Sequence, residues 1–362
     1  MPPRSNRSSL GSSSRPVHRN RVITSENDNI SRSVEDLVPD KYRDTGRYID
    51  VVQWNIEWFG ARKSEAKDRS RFDRVCEILE AFNSDIFVFQ EIAGPSSDGR
   101  YPGVLDDVAE ELRRRNAGDY VVFYTRAGGE QRVAMMWDRD WIRAKSDVED
   151  LFPRGKFQKA GEKDPFAGRT PLYGYFTARI PEDQGNVALS PDKFDFQVLG
   201  VHLKAMGDGA PQRKQSAEVL AKWLTTEAPT VDADAMILGD WNAAPDAPEW
   251  KPIRDLEGDR DHPVAFSKIN DPSEYSYLWL SNRPDRFMSR IDLTAITLSS
   301  ETQIVGDAVA RVVKWQPIEE ALARAGSMTD AQVVKVLKEV KETISDHLPT
   351  HARFYIEKRQ AR

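Results

Sequence analysis

The stretch Ile237–Pro245 reads Ile-Leu-Gly-Asp-Trp-Asn-Ala-Ala-Pro, and it decides the prediction of the fold. The segment Asp234–Leu238 that leads into it is mostly apolar and predicts a short buried strand. Asp240 and Asn242 follow at once, and side chains two residues apart lie on the same side of an extended chain. A carboxylate and a carboxamide at a strand end form a candidate functional pair, although Asp, Asn, Gly and Pro also make ordinary turns.

Other predicted strands end in a polar side chain in the same way. Tyr48–Trp54 is rich in β-branched and aromatic residues, which predicts a strand, and Asn55 follows it. Asp85–Gln90 is a second predicted strand that leads into Glu91, and a later one leads into His202. Because α/β folds carry their chemistry at the exposed ends of strands, we expect these side chains to share one site.

The balance of elements predicts the fold class. Strands outnumber helices, and many strand pairs are too close in sequence for a helical crossover. This favours an α/β (α+β) fold, a mostly antiparallel two-sheet sandwich with helices on its outer faces. Apolar spacing predicts helices near residues 72–82, 104–115, 211–226, 317–325 and 329–343. Residues 139–168 are predicted to be a long excursion, and residues 245–273 are predicted to be rich in loops.

The domain organisation follows from length and composition. The chain has 362 residues, enough for one large domain or two ordinary ones. Residues 1–45 are rich in Ser and Arg and are predicted to be a disordered tail, with a transit peptide or a basic arm for nucleic acid as alternatives. Without an internal repeat or a low-complexity linker after residue 47, the sequence predicts one domain over residues 46–362.

Charge and cysteine content exclude several classes of protein. The formal net charge is -6, so any polyanion has to be bound by a local group of Arg and Lys or by a metal. Cys76 is the single cysteine, which excludes an internal disulfide and disfavours a zinc site. With no secretory signal and no apolar run of membrane-span length, we expect a cytoplasmic protein without a membrane partner or an obligate protein partner.

The residue types at the strand ends are those of hard-metal and proton-transfer chemistry. A Glu such as Glu91 is a natural oxygen ligand for Mg²⁺, and an Asn carbonyl is a second hard ligand or orients the first. A histidine near a carboxylate transfers a proton or donates to a charged oxygen. Taken singly, His202 is also typical of a structural histidine, Asp292 of a local partner of Arg290, and Asp346-His347 of a turn before proline.

In order along the chain, these motifs resemble the endonuclease/exonuclease/phosphatase superfamily, the DNase I-like metal-dependent phosphoesterases. The resemblance runs from about residue 50 to 356 and implies a four-layered α/β sandwich. It is carried by Asn55 after a strand, Phe89-Gln90-Glu91, Val201-His202-Leu203-Lys204, Gly239-Asp240-Trp241-Asn242, Arg290-Ile291-Asp292 and Ser345-Asp346-His347-Leu348-Pro349.

The resemblance implies a role for each position. The implied metal residues are Glu91, Asn55 beside it and Asp346, with Mg²⁺ as the cofactor and Mn²⁺ as the alternative ion. Among the implied catalytic residues, Asp240 orients or deprotonates the attacking water and Asn242 donates to the phosphate. The others are His347, which contacts the scissile phosphate and is held by Asp292, and His202, the second histidine of the DNase I branch.

Substrate contacts are implied by Arg169, which is similar to a phosphate-contacting arginine of the DNase I branch, and Lys204 is a further candidate. The chain departs from that branch at Gln131, which stands where an acid is expected to orient the His202 ring. A glutamine orients a ring but cannot stabilise an imidazolium by charge. In addition, Ile92-Ala93-Gly94 follows Gln90-Glu91, so no DNA-gripping arginine follows Glu91 closely.

The leading hypothesis is a Mg²⁺-dependent phosphodiesterase that hydrolyses DNA by attack of an activated water. The protein is then a nuclease, and RNA is a further candidate substrate. The partner is then a nucleic acid substrate. One alternative is a phosphatase or phosphodiesterase on a small phosphorylated or lipid substrate. A second is an inactive binding module of the same fold. The sequence predicts no role for the helical residues 317–343.

Overall fold

A computed structural model of the chain describes residues 37–43, 48–60, 65–96, 102–127, 131–152, 164–180, 190–278, 288–298, 310–323 and 329–355. One sheet consists, in spatial order, of β14 (Arg311–Val312), β15 (Thr350–Tyr355), β1 (Tyr48–Phe59), β2 (Ile86–Ile92), β4 (Arg132–Asp138) and β3 (Tyr120–Tyr124). We call it the first sheet. The strands of the first sheet carry apolar residues on both faces, and most of these residues are fully buried.

The second sheet consists, in spatial order, of β10 (Val264–Ala265), β13 (Asp292–Thr297), β9 (Ala235–Asp240), β8 (Ser190–His202), β7 (Leu172–Ile180) and β5 (Ile142–Ala144), with β6 (Glu149–Asp150) also paired to β7. A small hairpin is formed by β11 (Tyr277–Leu278) and β12 (Met288–Ser289). The helices are α1 (Glu65–Phe82), α2 (Val104–Arg114), α3 (Ala210–Lys222), α4 (Lys251–Arg254), α5 (Gln316–Ala323) and α6 (Asp330–Thr343). No helix within the described ranges is both long and apolar enough to cross a membrane.

The two sheets pack face to face and are covered by helices. Alternate residues of β2 point to opposite faces, so Val88 joins the core between the sheets while Phe87 joins the core beneath α1, α2 and α6. Phe196 and Leu238 of the second sheet complete the central core. The opposite face of that sheet packs against α3 and α4. These four layers confirm the predicted DNase I-like α/β sandwich.

Both sheets are mixed rather than purely antiparallel. β1 and β2 are parallel and are connected through α1, and β8 and β9 are parallel and are connected through α3. The other strand pairs are antiparallel, so the prediction of a mostly antiparallel arrangement is confirmed. The parallel pairs matter for function because they bring the carboxyl ends of neighbouring strands to the same edge.

Two segments predicted to be irregular contain more structure than the sequence indicates. The predicted excursion at residues 139–168 contributes β5 and β6, which add to the edge of the second sheet at β7. Residues 153–163 of it lie outside the described residues. The predicted loop at residues 245–273 contains short helical turns around α4 and the strand β10. These elements were not predicted, because each has only a few residues and lies in a segment rich in charged residues, Pro and Gly.

Part of the predicted tail belongs to the folded body. In the segment Leu37–Arg43, Leu37, Val38 and Tyr42 are buried against the core that includes β1. Arg353 of β15 holds this segment by donating hydrogen bonds to the carbonyl oxygens of Lys41 and Arg43, at 3.1 and 2.9 Å. The folded body therefore includes Leu37–Arg43, while residues 1–36 lie outside the described part of the chain.

Candidate active site

Three predicted site residues lie side by side at one end of the second sheet. The parallel register of β8 and β9 aligns His202 with Asp240, and the antiparallel register of β9 and β13 aligns Asp292 with Asp240. Gly239 makes this approach possible, because a Cβ at that position would lie 2.0 Å from the Val201 carbonyl oxygen. The three side chains are buried, so each is held in a water-poor environment.

Two hydrogen bonds join this cluster to the first sheet. Asn55 Nδ2 of β1 donates to Asp240 Oδ2 at 3.0 Å, and Gln53 Nε2 donates to Asp292 Oδ1 at 2.8 Å. Asn55 and Gln53 are two residues apart and therefore lie on the same side of β1. The site thus lies at the junction of the two sheets, where strand ends from both meet.

Asp240 is the central carboxylate. Its Oδ1 accepts a hydrogen bond from the backbone N–H of Asn242 at 2.9 Å, a geometry that the positive φ of Asn242 provides. Burial raises the pKa of Asp240, the positive charge of His347 opposes this, and the charges of Asp292 and Glu91 add to the rise. The resulting pKa of about 7 is that of a carboxylate able to take up a proton near neutral pH.

Asp292 and His347 form a buried pair. Nδ1 of His347 donates to Asp292 Oδ2 at 2.8 Å, as the resemblance implied. Burial alone would lower the pKa of His347, but the charge and the hydrogen bond of Asp292, with the charges of Asp346 and Asp240, raise it to about 10. The imidazole is therefore held protonated, with its Nε2 available as a cationic donor.

Oxygens suited to a metal ion lie beside Asp240. Asn55 Nδ2 is 3.5 Å from Glu91 Oε1, so the two predicted metal residues are adjacent. Among the described residues, the buried atoms Asn55 Oδ1, Glu91 Oε2 and Asp346 Oδ1 have no hydrogen-bond partner. A buried acceptor without a donor is costly, and one such oxygen on each predicted ligand fits a hard cation.

The donor set fits magnesium better than a metal that needs a full protein cage. Within the described ranges, no three His, Cys, Asp or Glu side chains come together in an arrangement that could hold a metal ion. Mg²⁺ usually keeps several waters and takes only one or two carboxylates from the protein. Glu91 with the Asn55 amide meets that requirement.

Asp346 is shared with a lysine that the sequence did not single out. Lys341 Nζ of α6 lies 2.7 Å from Asp346 Oδ2 and 2.8 Å from Glu57 Oε1. Burial lowers the pKa of Lys341, but the hydrogen bonds and charges of the two acids raise it above its ordinary range. Asp346 Oδ1 faces His347 Nε2 at 3.8 Å. The predicted metal role of Asp346 therefore concerns Oδ1 alone.

The structure corrects the prediction for Gln131. Among the described residues, its Oε1 accepts a hydrogen bond from Arg169 Nη2 at 2.9 Å rather than binding the His202 ring. Arg169 Nη1 in turn lies 2.7 Å from His202 Nε2. The guanidinium has only donors, so Nε2 must accept and the ring is neutral. The spacing of these residues in the sequence does not show whether Gln131 contacts the His202 ring directly or only through Arg169.

The environment of His202 agrees with a neutral ring. Burial lowers its pKa well below the ordinary value, and the charges of Arg169 and His347 lower it further. His202 Nε2 also lies 3.6 Å from Asp240 Oδ2 and 3.8 Å from Glu91 Oε1. In this arrangement His202 is an acceptor that positions Arg169 near both carboxylates, not an acid.

The loop after β8 carries the remaining candidates. Asn242 Nδ2 donates to the Leu203 carbonyl oxygen at 3.1 Å, which leaves its second amide hydrogen for another acceptor. Lys204 follows Leu203 and is partly buried, and its carbonyl oxygen accepts from the buried Arg213 at 2.8 Å. The loop is thus fixed at the edge of the site, as a substrate-contact position requires.

Sequence reasoning assigned no role to several residues that shape the site. Gln53 lies two residues before Asn55 on the same face of β1, so the strand period could have indicated it. Ser345 Oγ donates to the Asn55 carbonyl oxygen at 2.9 Å and accepts from His347 N–H, which fixes the loop before β15. The Tyr277 ring lies 4.7 Å from the His347 ring, and no periodic signal marks it.

A model of the Endonuclease/Exonuclease/phosphatase family matches residues 52–347, so the chain belongs to this family. Its members are phosphoric ester hydrolases and in general depend on a divalent metal. No curated protein matches the chain.

Solved structures share the fold at low sequence identity. An endonuclease/exonuclease/phosphatase from Bacteroides vulgatus matches with 14% identity and a TM-score of 0.54, over 86% of this chain and 99% of that chain. TDP2 from D. rerio complexed with single strand DNA product matches with 14% identity and a TM-score of 0.51, over 86% and 99%. A mannosyl-6-phosphatase from Bacteroides thetaiotaomicron matches with 15% identity and a TM-score of 0.51, over 84% and 99%. At these identities the likeness defines the fold and not the substrate.

Proposed function

We propose that this protein is a Mg²⁺-dependent phosphodiesterase that hydrolyses nucleic acid, with DNA as the leading substrate and RNA as a further one. The observation that carries the proposal is the convergence at one end of the sandwich of Asp240, the protonated His347 and two oxygens, on Asn55 and Glu91, that no described residue binds. Hydrolysis of a phosphodiester needs these three elements: a proton acceptor, a cationic donor and a hard-metal site.

The protein's own groups divide the work as follows. Asp240, with a pKa of about 7, orients the attacking water and accepts its proton. His347 donates from Nε2 to a phosphoryl oxygen, and Asn242 donates its remaining amide hydrogen, so both stabilise the charge that develops there. Glu91 and Asn55 would hold the metal, with Asp346 nearby. When bound, a divalent ion supplies further positive charge for the phosphoryl oxygens.

Two features support a nucleic acid rather than a small phosphate ester. Arg169 lies next to His202 at the site and provides a fixed guanidinium for a backbone phosphate. The fold is shared with a TDP2 whose structure holds a single strand DNA product. The second candidate is a phosphatase on a small phosphorylated substrate, which the formal net charge of -6 and the fold of the mannosyl-6-phosphatase favour.

The test is cleavage of supercoiled plasmid and of single- and double-stranded oligonucleotides with Mg²⁺, with Mn²⁺ and with chelator. We expect metal-dependent cleavage that Asp240→Asn reduces by at least about 100-fold, the range for loss of a general base. The matched control is Asp246→Asn, an exposed aspartate six residues further on, which should cleave like the wild type.

The same preparations would be assayed with a phosphate monoester and a phosphate diester of a small chromogenic alcohol. Affinity that falls steeply with salt supports a nucleic acid substrate. Cleavage that survives Asp240→Asn would reject the nuclease proposal. Salt-insensitive turnover of the monoester alone would establish the phosphatase instead.

A further inference from the structure

Lys341 connects the helical region without a predicted role to the candidate metal site. It lies in α6, and its ammonium bridges two acids, Asp346 Oδ2 at 2.7 Å and Glu57 Oε1 at 2.8 Å. The Asp346 side chain is only 7% exposed, and those of Glu57 and Lys341 are 24% and 30% exposed. Such a contact, shielded in part from solvent, is screened less than a surface ion pair.

The two acids flank the predicted metal residues. Glu57 lies two residues after Asn55 in β1, at the point where the pairing of β1 with β2 becomes irregular. Asp346 adjoins Ser345, whose hydroxyl binds the Asn55 carbonyl oxygen. The ammonium therefore lies between two carboxylates beside Asn55, where a second cation would otherwise be favoured.

Lys341 also determines which oxygen of Asp346 stays available. The ammonium binds Oδ2, while Oδ1 faces His347 Nε2 at 3.8 Å and has no hydrogen-bond partner among the described residues. A lysine has three donors and no acceptor, so it satisfies a carboxylate oxygen without competing for a metal. The contact thus orients Asp346 with one oxygen toward the site.

We propose that Lys341 is a positioning residue that acts as a built-in cation: it offsets one of the two negative charges of Glu57 and Asp346 and limits the site to a single divalent ion. With Lys341 in place, Glu57, Asp346 and the ammonium together carry one negative charge rather than the two of the acids alone, which disfavours a second divalent ion beside the one at Glu91 and Asn55. This inference rests on the metal dependence proposed above.

The test counts bound Mn²⁺ by electron paramagnetic resonance in the absence of substrate, so that it does not depend on catalysis. Wild type is expected to bind one Mn²⁺ per chain, and Lys341→Met is expected to bind two. Lys341→Arg keeps the charge and should bind one. Lys338→Met, an exposed lysine on the same helix, is the matched control and should also bind one. The double variant Glu57→Gln/Lys341→Met restores the wild-type charge and should return the number to one.

Three results would overturn the inference. The first is a Lys341→Met protein that is folded by circular dichroism and binds one Mn²⁺ with wild-type affinity. The second is a wild type that binds two Mn²⁺, with the spin–spin broadening of neighbouring ions, and this measurement remains decisive if Lys341→Met does not fold. The third is a wild type that binds no Mn²⁺, which would reject the proposed metal dependence as well. The first two leave that dependence intact.

Discussion

Nδ1 of His347 lies 2.8 Å from Oδ2 of Asp292, and both side chains are buried where the two sheets meet. The other carboxylate oxygen of Asp292 accepts from Gln53, so the acid cannot rotate away from the ring. The pair therefore fixes both the orientation and the charge of the imidazole, which points Nε2 toward Asp346. A cationic donor held in this way needs no reorganisation when negative charge develops beside it.

The Asp292–His347 pair should make the free energy of unfolding depend on pH in the alkaline range. The pKa of His347 is raised from 6.5 to about 10 in the folded state. Its contribution to the free energy of unfolding is therefore complete below pH 6.5 and is lost as the pH rises through about 10. We expect Asp292→Asn to cost about 3 kcal/mol near neutrality, the order observed for a broken buried ion pair, and much less above the raised pKa.

Urea unfolding in the presence of chelator would measure this difference across the alkaline range. Chelator ensures that metal binding does not contribute. The exposed Asp246→Asn serves as the control and should leave the curve unchanged. A loss of stability in Asp292→Asn that is the same at every pH would show that the pair is not ionised as described.

Gly239 should tolerate no side chain. It has a φ of +151°, and a Cβ there would meet the Val201 carbonyl oxygen at 2.0 Å, inside the parallel pair of β8 and β9. Since backbone cannot move aside as a flexible side chain can, we expect Gly239→Ala to lower the free energy of unfolding by at least about 3 kcal/mol. Gly258→Ala is the matched control, because nothing lies within 4 Å of its Cβ position. Equal unfolding midpoints for the two variants would contradict this account.

The polar residues at the strand ends could be predicted, because each of them ends an apolar stretch. This pattern is visible within a few neighbouring residues of the sequence. Asn55, Glu91, His202 and Asp240 stand out in this way, and the structure brings them together through strand register. Their chemical roles remain predictions, because the structure gives positions and not rates. The fold followed from the same strand pattern together with the resemblance.

Contacts made by side chains from distant elements could not be predicted. Lys341 reaches Asp346 and Glu57 because the apolar side of α6 packs on the core that includes β1, and the charge pattern of a helix does not reveal which lysine turns inward. The predicted contact between Gln131 and the His202 ring was wrong for the same reason, because Arg169 lies between the two side chains. Short strands such as β5 and β6 were missed because their pairing with β7, rather than their composition, defines them.

Arg169 should control the charge state of His202. The guanidinium donates to His202 Nε2 at 2.7 Å, and its positive charge is one of the causes that lower the pKa of the ring, after burial. Arg169→Gln removes the charge and releases Nε2 toward Asp240 Oδ2, which is 3.6 Å away. We therefore expect the pKa of His202 to rise toward its ordinary value, because a carboxylate replaces a cation as its nearest charged group. The measurement is a histidine-ring NMR titration in chelator, with the signals assigned by their loss in His202→Asn.

Gln131→Ala is the control: it removes the amide partner of Arg169 but keeps the guanidinium, so the pKa of His202 should stay low. A ring that titrates alike in wild type and Arg169→Gln would mean that burial alone keeps His202 neutral, and Arg169 would then be only a substrate contact.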